Sequence, residues 1–113
     1  EAIEYARKAV DVAEAMQATD ILLVDISKVS DFADFFIILT AGNRRQLEAV
    51  SESVQVALKG AGASFHHREG TTSSGWVLLD FGDVIVHLFA PEEREVYQLE
   101  ELWAHGQQVV RIQ

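Results

Sequence analysis

The ionisable side chains with the most suggestive spacing lie in GWVLLDFGDVIVHLF, residues 75–89, where Asp80 and His87 stand on two apolar runs separated by Gly82 and Asp83. A carboxylate near an imidazole is the start of an acid–base pair, but covalent chemistry also needs a nucleophile, and none accompanies it. Asp25, Asp31, Asp34, Asp80 and Asp83 are the carboxylates from which a Mg²⁺-dependent nucleotidyl or phosphoryl transferase would be built. They include no D-x-D pair on a strand, and there is no G-x-x-x-x-G-K-[ST] loop to cradle phosphates. His66 and His67, adjacent on a strand, would point to opposite faces and cannot chelate one metal. Four histidines without an HExxH spacing give zinc little support, and the absence of cysteine removes disulfides and thiolate chemistry. No catalytic, cofactor or metal site is therefore expected, and a small transferase is carried as the alternative to a binding function.

The elements that hold Asp80 and His87 follow from the apolar pattern. Trp76–Phe81 and Val84–Phe89 are rich in β-branched and aromatic residues, and Gly82-Asp83 suits a two-residue hairpin turn. If Phe81 pairs with Val84, one hairpin face is Val77, Leu79, Phe81, Val84, Val86 and Leu88, wholly apolar and thus core. The other face is Trp76, Leu78, Asp80, Ile85, His87 and Phe89. Such a mixture fits either a second core layer with its polar groups hydrogen-bonded, or an open apolar patch that takes a partner.

Upstream, Glu1 to about Thr19 carries apolar residues at three- and four-residue steps and reads as a helix, with Glu1 and Glu4 at its positive end. Ile21–Ile26 and Phe35–Thr40 are short apolar runs expected to be strands covered on both faces, and SKVSDFAD is the polar break between them. Asn43 with Gln46 has capping-box spacing and starts a second helix that Gly60 and Gly62 end. A third strand is expected near residues 63–67, completing a β-α-β crossover, followed by a polar loop REGTTSSG. Pro91, Glu92 and Glu93 open a last helix whose buried stripe would be Val96, Leu99, Leu102 and Trp103. Gly106 stops it, and QQVVRIQ is either a tail or a short extra strand. The order α-β-β-α-β-β-β-α gives an α+β fold, a mixed sheet of about five strands with helices mainly on one side. Three helices do not cover both faces of such a sheet, so some surface should remain for a partner.

At 113 residues the chain fits one domain, taken as residues 1–104 with a tail over 105–113. No apolar run reaches membrane-spanning length and nothing reads as a signal peptide, so the expected location is the cytoplasm, with no membrane partner. The net charge of −9 repels phosphate backbones and favours basic proteins. Arg44 and Arg45 oppose the dipole at the start of the second helix. They are expected either to pair with nearby carboxylates or to touch RNA phosphate at the edge of a partner surface.

WVLLDFGDVIVHLF followed by EREVYQLEELW resembles the signature of the Iojap family, the bacterial ribosomal silencing factor RsfS and its organelle relatives. DILLVDIS, FFIILTAG and NRRQLEAVSESV resemble that family in matching order, so the likeness covers nearly the whole chain. The resemblance implies a core similar to nucleotidyltransferases without their chemistry. It also implies binding to a protein of the large ribosomal subunit at the intersubunit face, blocking small-subunit joining and repressing translation when nutrients are short. A role in large-subunit assembly is the related alternative. Carried over onto this chain, the pattern falls on Trp76, Asp80, Gly82, Asp83, His87, Phe89, Arg94, Tyr97, Leu99, Glu100, Leu102 and Trp103. Gly82 and Asp83 have a sufficient turn role, and Leu99 and Leu102 a sufficient core role. Trp76, Leu78, Asp80, His87, Phe89, Arg94, Tyr97 and Trp103 are therefore the expected partner-binding residues. The same face could also pair two copies, making the free protein a homodimer.

Overall fold

The computed structural model describes residues 1–96 and the strand 107–112, with Ile112 the only side chain of that strand included. Its elements are α1 (Ala2–Ala15), β1 (Thr19–Asp25), β2 (Phe35–Thr40), α2 (Arg44–Gly60), β3 (His67–Thr71), β4 (Trp76–Asp80), β5 (Val84–Phe89), α3 (Pro91–Val96) and β6 (Gln107–Ile112). The strands form one mixed sheet in the order β3-β4-β5-β2-β1-β6. The five expected strands are all present, and QQVVRI adds a sixth, antiparallel to β1 at the sheet edge. β2 and β5 are the parallel pair at the centre.

The β4–β5 hairpin has the register its alternation dictates: Trp76 faces Phe89, Val77 faces Leu88, Leu78 faces His87 and Asp80 faces Ile85. Gly82 takes φ +82°, which a glycine adopts without a Cβ penalty, and the Phe81 N–H donates to the Val84 carbonyl at 2.9 Å across the bend. The Asp83 carbonyl accepts from the amides of Asp34 and Phe35, which locks the turn to the start of β2.

Val77, Leu79, Val86 and Leu88 of the hairpin are buried with Ile37, Leu39, Ile21 and Leu23 of the central strands. Ala6, Ala9, Val10 and Ala13 of α1 and Leu47, Val50, Val54 and Leu58 of α2 cover this face. Small residues on α1 allow it to lie close to the sheet and to α2. Asn43 accepts the Gln46 amide at 2.8 Å, as its capping spacing requires, and the Gln46 side chain donates to the Met16 carbonyl, tying the end of α1 to the start of α2.

Three local expectations are corrected. α1 ends at Ala15, a turn earlier than its pattern suggests, because Gln17 takes φ +67° and Thr19 already belongs to β1. β3 begins at His67 and runs through residues expected to be loop. It is an edge strand, exposed along most of its length, so it needs no apolar alternation to be stable. Parallel to β2 through the pairings of β4 and β5, it completes the crossover with β4 and β5 lying between it and β2. Val96, expected in the buried stripe of the last helix, is 79% exposed. Leu99, Leu102 and Trp103 of that stripe lie outside the described residues.

Candidate partner-binding face

The second sheet face is built by the residues that alternate with the core. β4 contributes Trp76, Leu78 and Asp80, and β5 contributes Ile85, His87 and Phe89. Ile38 of β2 and Leu22 and Val24 of β1 continue the layer, and Ile26 and Ala33 of the β1–β2 loop pack onto it. The face is covered to different depths. Ile85, His87 and Phe89 are a buried layer, whereas Trp76, Leu78 and Phe36 pack against it and remain partly exposed.

His87 sits 4.9 Å from the Phe36 ring, edge-on, and is stacked 6.4 Å from Phe89. Burial pushes its pKa down to about 4, against a smaller opposing pull from the Glu69 carboxylate. The imidazole is thus neutral at physiological pH, a polar ring held in an aromatic layer. Asp80 does not pair with it. One Asp80 oxygen accepts the Gly82 amide at 2.7 Å and the other lies 3.5 Å from His67 Nδ1, across the β3–β4 ladder. His67 Nε2 is also 2.8 Å from Glu69, so the exposed end of this face carries two carboxylates around one imidazole.

Arg94 is buried, donating to the Thr40 hydroxyl at 2.9 Å and lying 3.3 Å from Asp20. Its guanidinium ties α3 to the end of β2 and the start of β1 from inside. Arg44 donates to the Ser73 carbonyl and approaches Glu93 at 3.4 Å, matching the carboxylate-paired alternative, and its neighbour Arg45 is exposed. Glu48, held below the usual carboxylate range by hydrogen bonds from Thr72 and Arg68, fastens the β3–β4 turn to α2. Tyr97 and Trp103 lie outside the described residues.

Asp80 and Asp83 flank the hairpin turn, and among the described residues no three His, Asp or Glu side chains converge as a metal site would require. No described helix is long and apolar enough to cross a membrane. Sequence reasoning passed over Phe32, which is 70% exposed in the β1–β2 loop, and over the His67–Glu69 pair. Phe32 stands in a polar segment and lacks periodicity. His67 and Glu69 became visible only once β3 was placed beside β4.

A family profile described as "Ribosomal silencing factor during starvation" matches residues 1–113. The chain is 39% identical over 100 residues to the ribosomal silencing factor RsfS of Chromobacterium violaceum, covering 88% of this chain and 82% of that protein. It is 33% identical over 106 residues to the chloroplastic protein Iojap of Zea mays, covering 94% of this chain and 46% of that one. The mouse protein named mitochondrial assembly of ribosomal large subunit protein 1 is 32% identical over 89 residues, with 76% of this chain and 39% of that one covered. The chain thus spans less than half the length of these organelle relatives. A crystal structure of a Chromobacterium violaceum protein superposes with a TM-score of 0.85 at 38% identity, covering 98% of this chain and 92% of the other.

Proposed function

The chain belongs to the ribosomal silencing factor RsfS family, and from that premise we propose that it acts by occupancy rather than by turnover. It binds a protein of the large ribosomal subunit at the intersubunit face and stands in the path of the small subunit. Translation is thereby held down when nutrients are limiting. The observation that carries this reading is the half-buried trio Trp76, Leu78 and Phe36 above a buried layer. A partly exposed indole on a rigid sheet loses little conformational entropy on binding and offers a large apolar contact. The −9 charge complements the basic surfaces usual in ribosomal proteins. A second reading, assistance in large-subunit assembly, takes its support from the name of the mouse relative and uses the same face.

Trp76→Ala is the test. It should weaken binding to purified large subunits by about 2 kcal/mol or more while leaving the domain folded, as judged by circular dichroism. Co-sedimentation of the folded variant at wild-type affinity would refute the role of this face. In a reconstituted joining assay, wild-type protein should block small-subunit association in proportion to its occupancy of large subunits.

A further inference from the structure

The β1–β2 loop, residues 26–34, supplies an aromatic side chain that folding does not account for. Phe32 is 70% exposed and Val29 57% exposed, yet the backbone around them is tightly held. The Ile26 amide donates to the Asp34 carbonyl at 2.8 Å, and Val29 and Ser30 donate to the Ile26 carbonyl. The Phe32 amide donates to the Ser30 hydroxyl at 3.3 Å, and the Asp34 amide donates to the Asp83 carbonyl at 2.8 Å. At the other end, Asp25 accepts from both the amide and the hydroxyl of Ser27. Beneath, Ile26 and Ala33 are buried in the same apolar layer as Ile85 and Phe89. A rigid loop rooted in the second sheet face therefore carries a phenylalanine outward.

We propose that Phe32 is a second anchor of the partner-binding face, inserted into an apolar socket of the basic large-subunit protein and ringed there by lysine or arginine side chains. This rests on the occupancy reading above and extends its contact surface beyond the β4–β5 hairpin. Two observations select the partner's chemistry. The first is continuity: the loop shares its buried roots with the layer under Trp76, Leu78 and Phe36, so one partner can cover both. The second is charge. The loop and the residue before it carry Asp25, Asp31 and Asp34 against the single cation Lys28, and hydrogen bonds from Ser27 hold Asp25 below the usual carboxylate range, so it stays ionised. Such a rim repels RNA phosphate and attracts cationic side chains. The loop pays little ordering entropy on binding, because the amides of Ile26, Ser27, Val29, Ser30, Phe32 and Asp34 are already hydrogen-bonded.

The experiment compares wild type, Phe32→Ser, Phe32→Leu, Asp31→Asn and Trp76→Ala for binding to purified large subunits, each first checked by urea unfolding. Phe32→Ser should unfold at the wild-type denaturant concentration and bind about tenfold or more weakly, as loss of an anchor implies. Phe32→Leu should recover part of that loss, and Asp31→Asn should flatten the salt dependence. Wild-type affinity for folded Phe32→Ser overturns the proposal. So does displacement by protein-free ribosomal RNA together with tighter binding of Asp31→Asn, which would identify RNA as the occupant. If wild type leaves large subunits unbound, the occupancy reading fails and this proposal falls with it. Loss of binding in Trp76→Ala with none in Phe32→Ser keeps that reading and rejects the second anchor alone.

Discussion

At the scale of single residues, His87 shows how a polar group is kept in an apolar layer and what it costs. Its pKa of about 4 arises from burial, which disfavours the charged ring. In the unfolded chain an imidazole titrates near 6.5. Above that pH neither state carries the proton, and the shift contributes nothing. As pH falls below 6.5 the unfolded state takes up a proton that the folded state refuses, so stability declines until pH passes about 4. Between pH 7 and 5 the group should remove roughly 2 kcal/mol from wild-type stability. His87→Leu removes this linkage, so the difference in urea-unfolding free energy between the two proteins should move in the variant's favour by about that amount over the same interval. Asp25 and Glu48, whose lowered pKa values add stability that is lost at more acid pH, are present in both proteins and cancel. Parallel pH profiles would show that the ring is not desolvated as described.

At the scale of elements, the hairpin was legible because its two faces differ at every step and Gly82-Asp83 fixes the register, so the core face and the second, mixed face could both be written out from residues 76–89. β3 was not legible. It is an edge strand whose residues HREGT are mostly exposed, and nothing in its pattern distinguishes it from the following turn. The family pattern puts Arg94 among the expected partner-binding residues, whereas its guanidinium is buried on Thr40 and Asp20, from elements that only the folded sheet brings near. β3 nevertheless borders the proposed face, because Thr71 pairs with Trp76 and His67 with Asp80. The pairing depends on Gly70, at φ +79°, where an added Cβ would lie 2.2 Å from the Trp76 carbonyl oxygen. That atom is backbone and has no room to swing aside. Gly70→Ala should therefore cost about 2 kcal/mol or more of stability through left-handed strain and the clash, measured by urea unfolding. It should also speed amide exchange across residues 67–80 and weaken large-subunit binding, because the strand beside Trp76 is pushed out of register. Unchanged exchange at Trp76 and its neighbours would show that β3 does not support the indole.

At the scale of the whole molecule, a body of 34 × 32 × 23 Å that acts by occupancy, as proposed above, works through the number of large subunits it fills, so its association and dissociation rates set the effect. The charge of −9 is spread over a small surface, with Glu69 and Asp80 on the β3–β4 ladder and Asp31 and Asp34 in the β1–β2 loop. Charges at a rim act mainly on encounter, while apolar anchors at the centre act mainly on residence. Screening shortens the reach of the rim to a few ångströms at molar salt and leaves the contact at Trp76 nearly untouched. Raising NaCl from about 50 to about 500 mM should therefore slow association with large subunits by about tenfold or more, with a much smaller change in dissociation rate. Stopped-flow fluorescence, following a dye placed on α2 away from this face, separates the two rates. Trp76→Ala should show the opposite division, with a near-normal association rate and faster release. A salt effect confined to dissociation would mean that the carboxylates are buried in the contact rather than arrayed around it, and that the apolar centre is not what holds the two partners together.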